Sequence, residues 1–157
     1  MSCGALRIRL VALVLAVTGC GKFQQARECA AFVKTVNTWL ASPGAKIADA
    51  DADEDADAGT GAATDPPKQV AAEARRTAQH YSELSQSLTA LHVQGEELAP
   101  RVKRYEALAD EAARTLLEVA HALDQGDLEK ARKKRVDFDA VAQSEAPLVR
   151  EINGVCR

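Results

Sequence analysis

Leu98 to Leu123 reads LAPRVKRYEALADEAARTLLEVAHAL, and the spacing of its apolar residues decides the fold. Leu98, Val102, Tyr105, Ala109, Ala112, Leu116, Val119 and Leu123 recur at alternating steps of four and three. That 3.5-residue repeat puts all of them on one side of a helix and marks helices that cross at a shallow angle. A helix with one apolar stripe has to cover it, so partners with matching stripes must lie on either side in the chain.

Downstream, Gly126 and Asp127 supply a helix stop and an N-cap back to back, so the next helix must return antiparallel after a very short loop. It carries Leu128, Ala131, Phe138, Ala142, Val149, Ile152 and Cys156, with Pro147 inside the pattern. The proline ring clashes with the carbonyl four residues back, which predicts a kink or short break around Ser144 to Pro147. Upstream, Asp65 is placed to cap a helix with Pro66 and Pro67 in its first turn, where a missing amide hydrogen costs nothing. Its stripe is Val70, Ala74, Ala78, Tyr81, Leu84, Leu88 and Leu91, broken near Gly95. A first helix is predicted from Phe23 to Leu40 on the stripe Cys29, Val33, Val36 and Leu40, flanked by Phe32 and Trp39 and ended by Ser42-Pro43-Gly44.

No stretch alternates apolar and polar residues as a half-buried strand would. Aromatics make up 4% of the chain and alanine is abundant, which favours helices packed closely through small side chains. The reading is an all-α, up-down-up-down four-helix bundle.

The N-terminal stretch has a different character. Arg7 and Arg9 precede an unbroken apolar run from Leu10 to Val17, then Thr18, Gly19 and Cys20. The run is less than half the roughly 20 residues a membrane span requires, so it reads as the core of a secretory signal peptide. The tetrad Val17-Thr18-Gly19-Cys20 resembles the lipobox of bacterial lipoproteins, with Val17 and Thr18 standing where Leu and Ala or Ser are commoner. The resemblance covers only the first 20 or so residues. It implies removal of residues 1 to 19 as a signal peptide, a mature chain of residues 20 to 157, and lipid attached to Cys20, including palmitate. Several acyl chains exceed what stable anchoring needs, so the membrane is a partner through Cys20 without being spanned. Gly21 in place of an Asp after the lipidated cysteine implies the outer membrane of the cell envelope, facing the periplasm or the cell surface.

Cys3 leaves with the signal peptide and Cys20 is committed to lipid, so Cys29 and Cys156 are the remaining pair. In an oxidising compartment two such thiols are expected to form one disulfide, the alternative being two unpaired buried cysteines. The bond would place the start of helix one beside the end of helix four. Alternation of direction then requires helix two to start where helix one stops.

Between helices one and two, residues from about 42 to 65 form an acidic insert with Asp49, Asp51, Asp53, Glu54, Asp55, Asp57 and Asp65. Dense like charge with low hydrophobicity is the signature of disorder. The alternate aspartates fail the calcium-loop pattern, since Glu54, Ala56 or Ala58 falls where glycine is required. On this reading the length of the insert has no topological purpose.

Catalytic and cofactor signatures are lacking. Glu118 to His121 matches half of a di-iron Glu-x-x-His pattern without a second pair, so His121 reads as a helix-surface or boundary residue. There is no haem attachment motif, HExxH or GxSxG, and no cofactor or metal is expected. Near the start of helix four, Lys130, Arg132, Lys133, Lys134 and Arg135 form a basic run. Nucleic acid is excluded as its partner by the exported location and the absence of interleaved aromatics. The run reads as a candidate surface for an anionic partner, and the topology predicts a weak, salt-sensitive contact between it and the acidic insert. The functional expectation is a lipid-anchored, non-enzymatic envelope protein acting as an adaptor or accessory subunit for another envelope protein. The alternative is a periplasmic ligand-binding or chaperone-like bundle.

Overall fold

The computed structural model describes the backbone of residues 4 to 42 and 66 to 157, and side chains from Lys22 to Ser42 and from Pro67 onward. The acidic insert, Asp65 and residues 1 to 3 lie outside the described residues, as do the side chains of residues 4 to 21, Cys20 among them. Five helices follow in order: α1 (Gly4–Leu40), α2 (Pro66–Thr89), α3 (Ala99–Asp124), α4 (Leu128–Gln143) and α5 (Glu145–Val155). No strand occurs among the described residues. The protein is an all-α helical bundle.

α3 is its central rod, and Val102, Tyr105, Ala109, Ala112, Leu116 and Val119 of the 3.5-residue repeat are all buried, with Leu98 capping the stripe at 0% exposure. α2 lies antiparallel beside it, tied by Arg75 to Asp124 at one end and by Thr89 Oγ1 to Glu106 at 2.9 Å near the other. The sharp return into α4 uses the expected residues: Gly126 takes φ +73°, a left-handed turn that favours glycine, and the Asp127 carboxylate accepts from Lys130 N at 3.0 Å.

The fourth rod is in two pieces. α4 ends at Gln143, and α5 begins at Glu145 after a single residue, Ser144, that keeps nearly helical angles (φ −76°, ψ −13°). Pro147 thereby falls in the first turn of a new helix, where it displaces no internal hydrogen bond. Both pieces run along α3: Lys134 pairs with Glu118 at 2.6 Å, the Tyr105 hydroxyl donates to Glu145, and Arg104 pairs with Glu151 at 2.6 Å.

α1 runs antiparallel to α2. Glu28 meets the α2–α3 loop at Gly95, and Trp39 meets His80. Its inward stripe is Cys29, Phe32, Val36 and Trp39, so two residues of the expected stripe are displaced: Val33 is 42% and Leu40 52% exposed. Both lines satisfy helical spacing, and the larger rings of Phe32 and Trp39 take the interior. Val70 and Leu128, also expected inside, are about half exposed, while Ala71 and Leu148 are buried instead.

α1 stops beside His80, fourteen residues after α2 begins at Pro66, which is about 21 Å along the bundle at 1.5 Å per residue. Helix two therefore does not start where helix one stops, and the connecting residues 43 to 65 have a distance to cover. Twenty-three residues reach about 76 Å when extended, so the span is met with length to spare.

This offset divides the interior into two cores. At the loop end, four rods enclose Cys29, Phe32, Leu84, Leu88, Val102, Tyr105, Leu148 and Ile152. Towards the α3–α4 turn, the core is built from Ala71, Ala74, Ala78, Leu116, Val119 and Ala120, with Phe138 packed against it. Alanine suits this half, because with small side chains the backbones close the space directly.

Candidate functional site

Cys29 and Cys156 form the disulfide, with Cα atoms 5.6 Å apart across 127 positions of sequence. The pairing expected from the sequence is therefore present, joining α1 to the end of α5. Gln25 Nε2 donates to the Val155 carbonyl at 2.9 Å one turn before the bond.

Beside it, the Glu28 carboxylate accepts from Gly95 N at 2.9 Å, Gln94 N at 3.3 Å and Gln24 Nε2 at 2.9 Å. Burial works to raise this carboxyl, but those donors outweigh it and hold the group below the ordinary glutamate range. A Cβ at position 95 would lie 2.9 Å from Glu28 Oε2, so any larger residue there would push the carboxylate aside. Glu28 is the sole acid in the described side chains of α1 and is consumed by the bundle.

At the other end of α1, the Trp39 indole stacks on His80 with ring centroids 4.6 Å apart, and its Nε1 donates to the His80 carbonyl at 2.9 Å. Ser42 Oγ lies 3.1 Å from His80 Nε2. Burial lowers the His80 pKa, against a smaller raising effect from Glu83, whose carboxylate is 3.9 Å from Nδ1. Tyr81 continues the aromatic series from Trp39 to Phe138, with centroid separations of 5.3 and 6.1 Å. Burial and then the nearby Glu145 push its hydroxyl up to about 12. The Arg135 guanidinium sits 5.8 Å from the Phe138 ring.

The basic run divides by helical position. Lys134 turns to α3, where its hydrogen bond to Glu118 is the main cause of a raised pKa, and it also pairs with Asp137 at 3.5 Å. Arg135 pairs with Asp139 at 3.2 Å. Lys130, Arg132 and Lys133 are exposed and make no side-chain ion pair among the described residues. The predicted contact with the acidic insert involves a segment outside the described residues.

Between α3 and α4 an open polar cleft is lined by Arg104, Glu111, Arg114, Glu118, Lys134 and Asp137. Its charges satisfy one another, as in the Arg114 to Glu111 pair at 3.9 Å. His121 is exposed, as the sequence suggests, and accompanies Gln125 at 2.9 Å. No group of three or more His, Cys, Asp or Glu placed to hold a metal occurs among the described residues.

The sequence reading missed the outward face of α1. An open groove there is lined by Ala26, Ala30, Val33, Lys34, Asn37 and Ala41, with the disulfide at its edge. Phe23, 69% exposed, lies at the N-terminal end of the same face. The available signal was the second apolar line 23, 26, 30, 33, 37, 40, which steps by three and four with a single polar member, Asn37. Among the described residues no helix is long and apolar enough to cross a membrane. No protein-family model, curated protein or solved structure matches the chain.

Proposed function

We propose that this protein is a lipid-anchored, non-enzymatic component of the bacterial cell envelope, held in the outer membrane through Cys20, whose bundle serves as an adaptor or accessory subunit for another envelope protein. The observation that supports it best is the allocation of cysteines. Cys29 and Cys156 are used by each other, so Cys20 remains available in the mature chain for lipid. A disulfide that joins the two ends of the domain also suits an oxidising, exported location.

The adaptor role draws on the exposed cations at the start of α4. Lys130, Arg132 and Lys133 stand in solvent near the positive end of the helix dipole, which does not favour cations. An acidic surface on a partner would relieve that repulsion. Metabolic labelling with palmitate tests the anchor. The wild type takes up label, a Cys20→Ala variant does not, and label retained in the variant refutes the lipid site. Crosslinking from Lys133 in intact membranes tests the adaptor role, which fails if no envelope protein is captured or if capture survives Lys130→Gln/Arg132→Gln/Lys133→Gln.

A further inference from the structure

We infer that the outward face of α1 rests on the anionic phospholipid surface of the bilayer, so that the bundle lies along the membrane instead of hanging from a flexible tether. The inference rests on the reading of Cys20 as the anchor and adds the orientation of the domain.

Three features of α1 carry it. Phe23, Ala26, Ala30, Val33 and Ala41 form an apolar strip that no other helix covers. Lys22, Arg27 and Lys34 are the charges accompanying it. The one acid, Glu28, is turned towards the α2–α3 loop, where Gly95 and Gln94 hold it away from the apolar strip. An exposed helix face combining apolar residues with lysine and arginine alone is the pattern of helices that lie in the headgroup region.

Helical register joins this face to the anchor. Position 20 precedes Arg27 by seven residues and Lys34 by fourteen, so the three positions follow one line along α1. A lipid at the start of that line brings the rest of it to the surface, at an effective concentration set by one or two turns of rigid helix. Phe23 is the first apolar residue on that side after the anchor.

A second copy of the chain fits the strip less well. Two α1 helices laid together would oppose Lys22, Arg27 and Lys34 of one to the same residues of the other, with Glu28 held at the α2–α3 loop on each.

The test uses the full chain in membranes, with the photoreactive residue p-benzoylphenylalanine at Val33 and, as control, at Asp110. Asp110 is exposed on α3, across the core where Phe32 meets Tyr105 edge to face. Illumination should attach phospholipid to position 33 at least about tenfold more than to position 110. The adduct should fall in 1 M salt, where the screening length shrinks to about 3 Å, and in Lys22→Gln/Arg27→Gln/Lys34→Gln. Helical circular dichroism and an intact disulfide confirm that each variant is folded. Equal lipid adducts at the two positions, or adducts at 33 to a second copy or to another protein, would overturn the inference. Palmitate is followed in the same samples. Label on Cys20 with no preference for position 33 removes the orientation alone, whereas absence of label removes the anchor and the orientation together.

Discussion

Replacing both cysteines, Cys29→Ser/Cys156→Ser, should loosen α1 before the rest of the bundle unfolds. The bond spans 127 positions, and in the chain-entropy model a closed loop of that size contributes about 5 kcal/mol. Without it, α1 is joined to the bundle only through residues 43 to 65. Closing a loop of that length costs about 3 kcal/mol in the same model. Against this stand the burial of Phe32 and the partial burial of Val36 and Trp39. At roughly 1.5 to 3 kcal/mol for each fully buried large side chain, these three supply at most about 4.5 to 9 kcal/mol before the cost of ordering them. Docking of α1 then becomes marginal, while α2, α3 and α4 keep their mutual interface. Trp39 is the single tryptophan and lies in the contact with His80, so its emission reports α1 directly. In urea, the oxidised wild type should lose Trp39 emission and helical circular dichroism together. The variant should show the emission change first, at clearly lower denaturant, with the remaining helix melting later. Coincident transitions in the variant, or a midpoint shift worth less than about 1 kcal/mol, would refute the view that the disulfide holds α1 in place.

Other predictions follow from single contacts. Ala78→Leu places a large side chain where exposure is 1% and the backbones of α2 and α3 close on each other; it should destabilise by about 1 to 3 kcal/mol in urea melts. Tyr105→Phe leaves the Glu145 carboxylate without its buried donor at the first turn of α5, with an expected loss of about 1.5 to 3 kcal/mol, measured by thermal unfolding. His80, whose pKa is lowered chiefly by burial, supports folding fully above its unfolded value of about 6.5, and that support is lost as pH falls through the lower folded value. Glu83 at 3.9 Å opposes part of the effect, and Lys34 lines the same groove. Denaturant midpoints measured between pH 7 and 4 should fall less steeply in His80→Gln, and an unchanged slope would contradict the assignment.

The parts of the fold legible in the sequence are those where one pattern had a single solution. The 3.5-residue repeat of α3 left no second face to choose, and its residues from Val102 to Val119 are buried as the spacing predicts, with Leu123 half-buried at the end. Gly126-Asp127 specified its turn through the glycine's left-handed φ and the aspartate cap, and Pro147 marked the division of the fourth rod because its ring is tolerated in a first turn but not in a helix interior. The contacts around Glu28 and His80 were not legible. Each depends on a partner more than 35 residues away, and neither residue type announces such a partner.

Composition and spacing determined the helical class and the alternating directions, because each rests on local periodicity, and the pairing of Cys29 with Cys156 was reached once the lipobox resemblance set Cys3 and Cys20 aside. Tertiary structure decided which side of α1 is inside and how far along α2 it reaches. Two apolar lines run the length of that helix at equally good spacing, and periodicity cannot rank them. The choice fell to the fit of Phe32 against Tyr105 and of Trp39 against His80, since a flat ring gains its dispersion contacts only where another ring is already held to receive it. Val33 was left outside by that fit, together with the face that includes it.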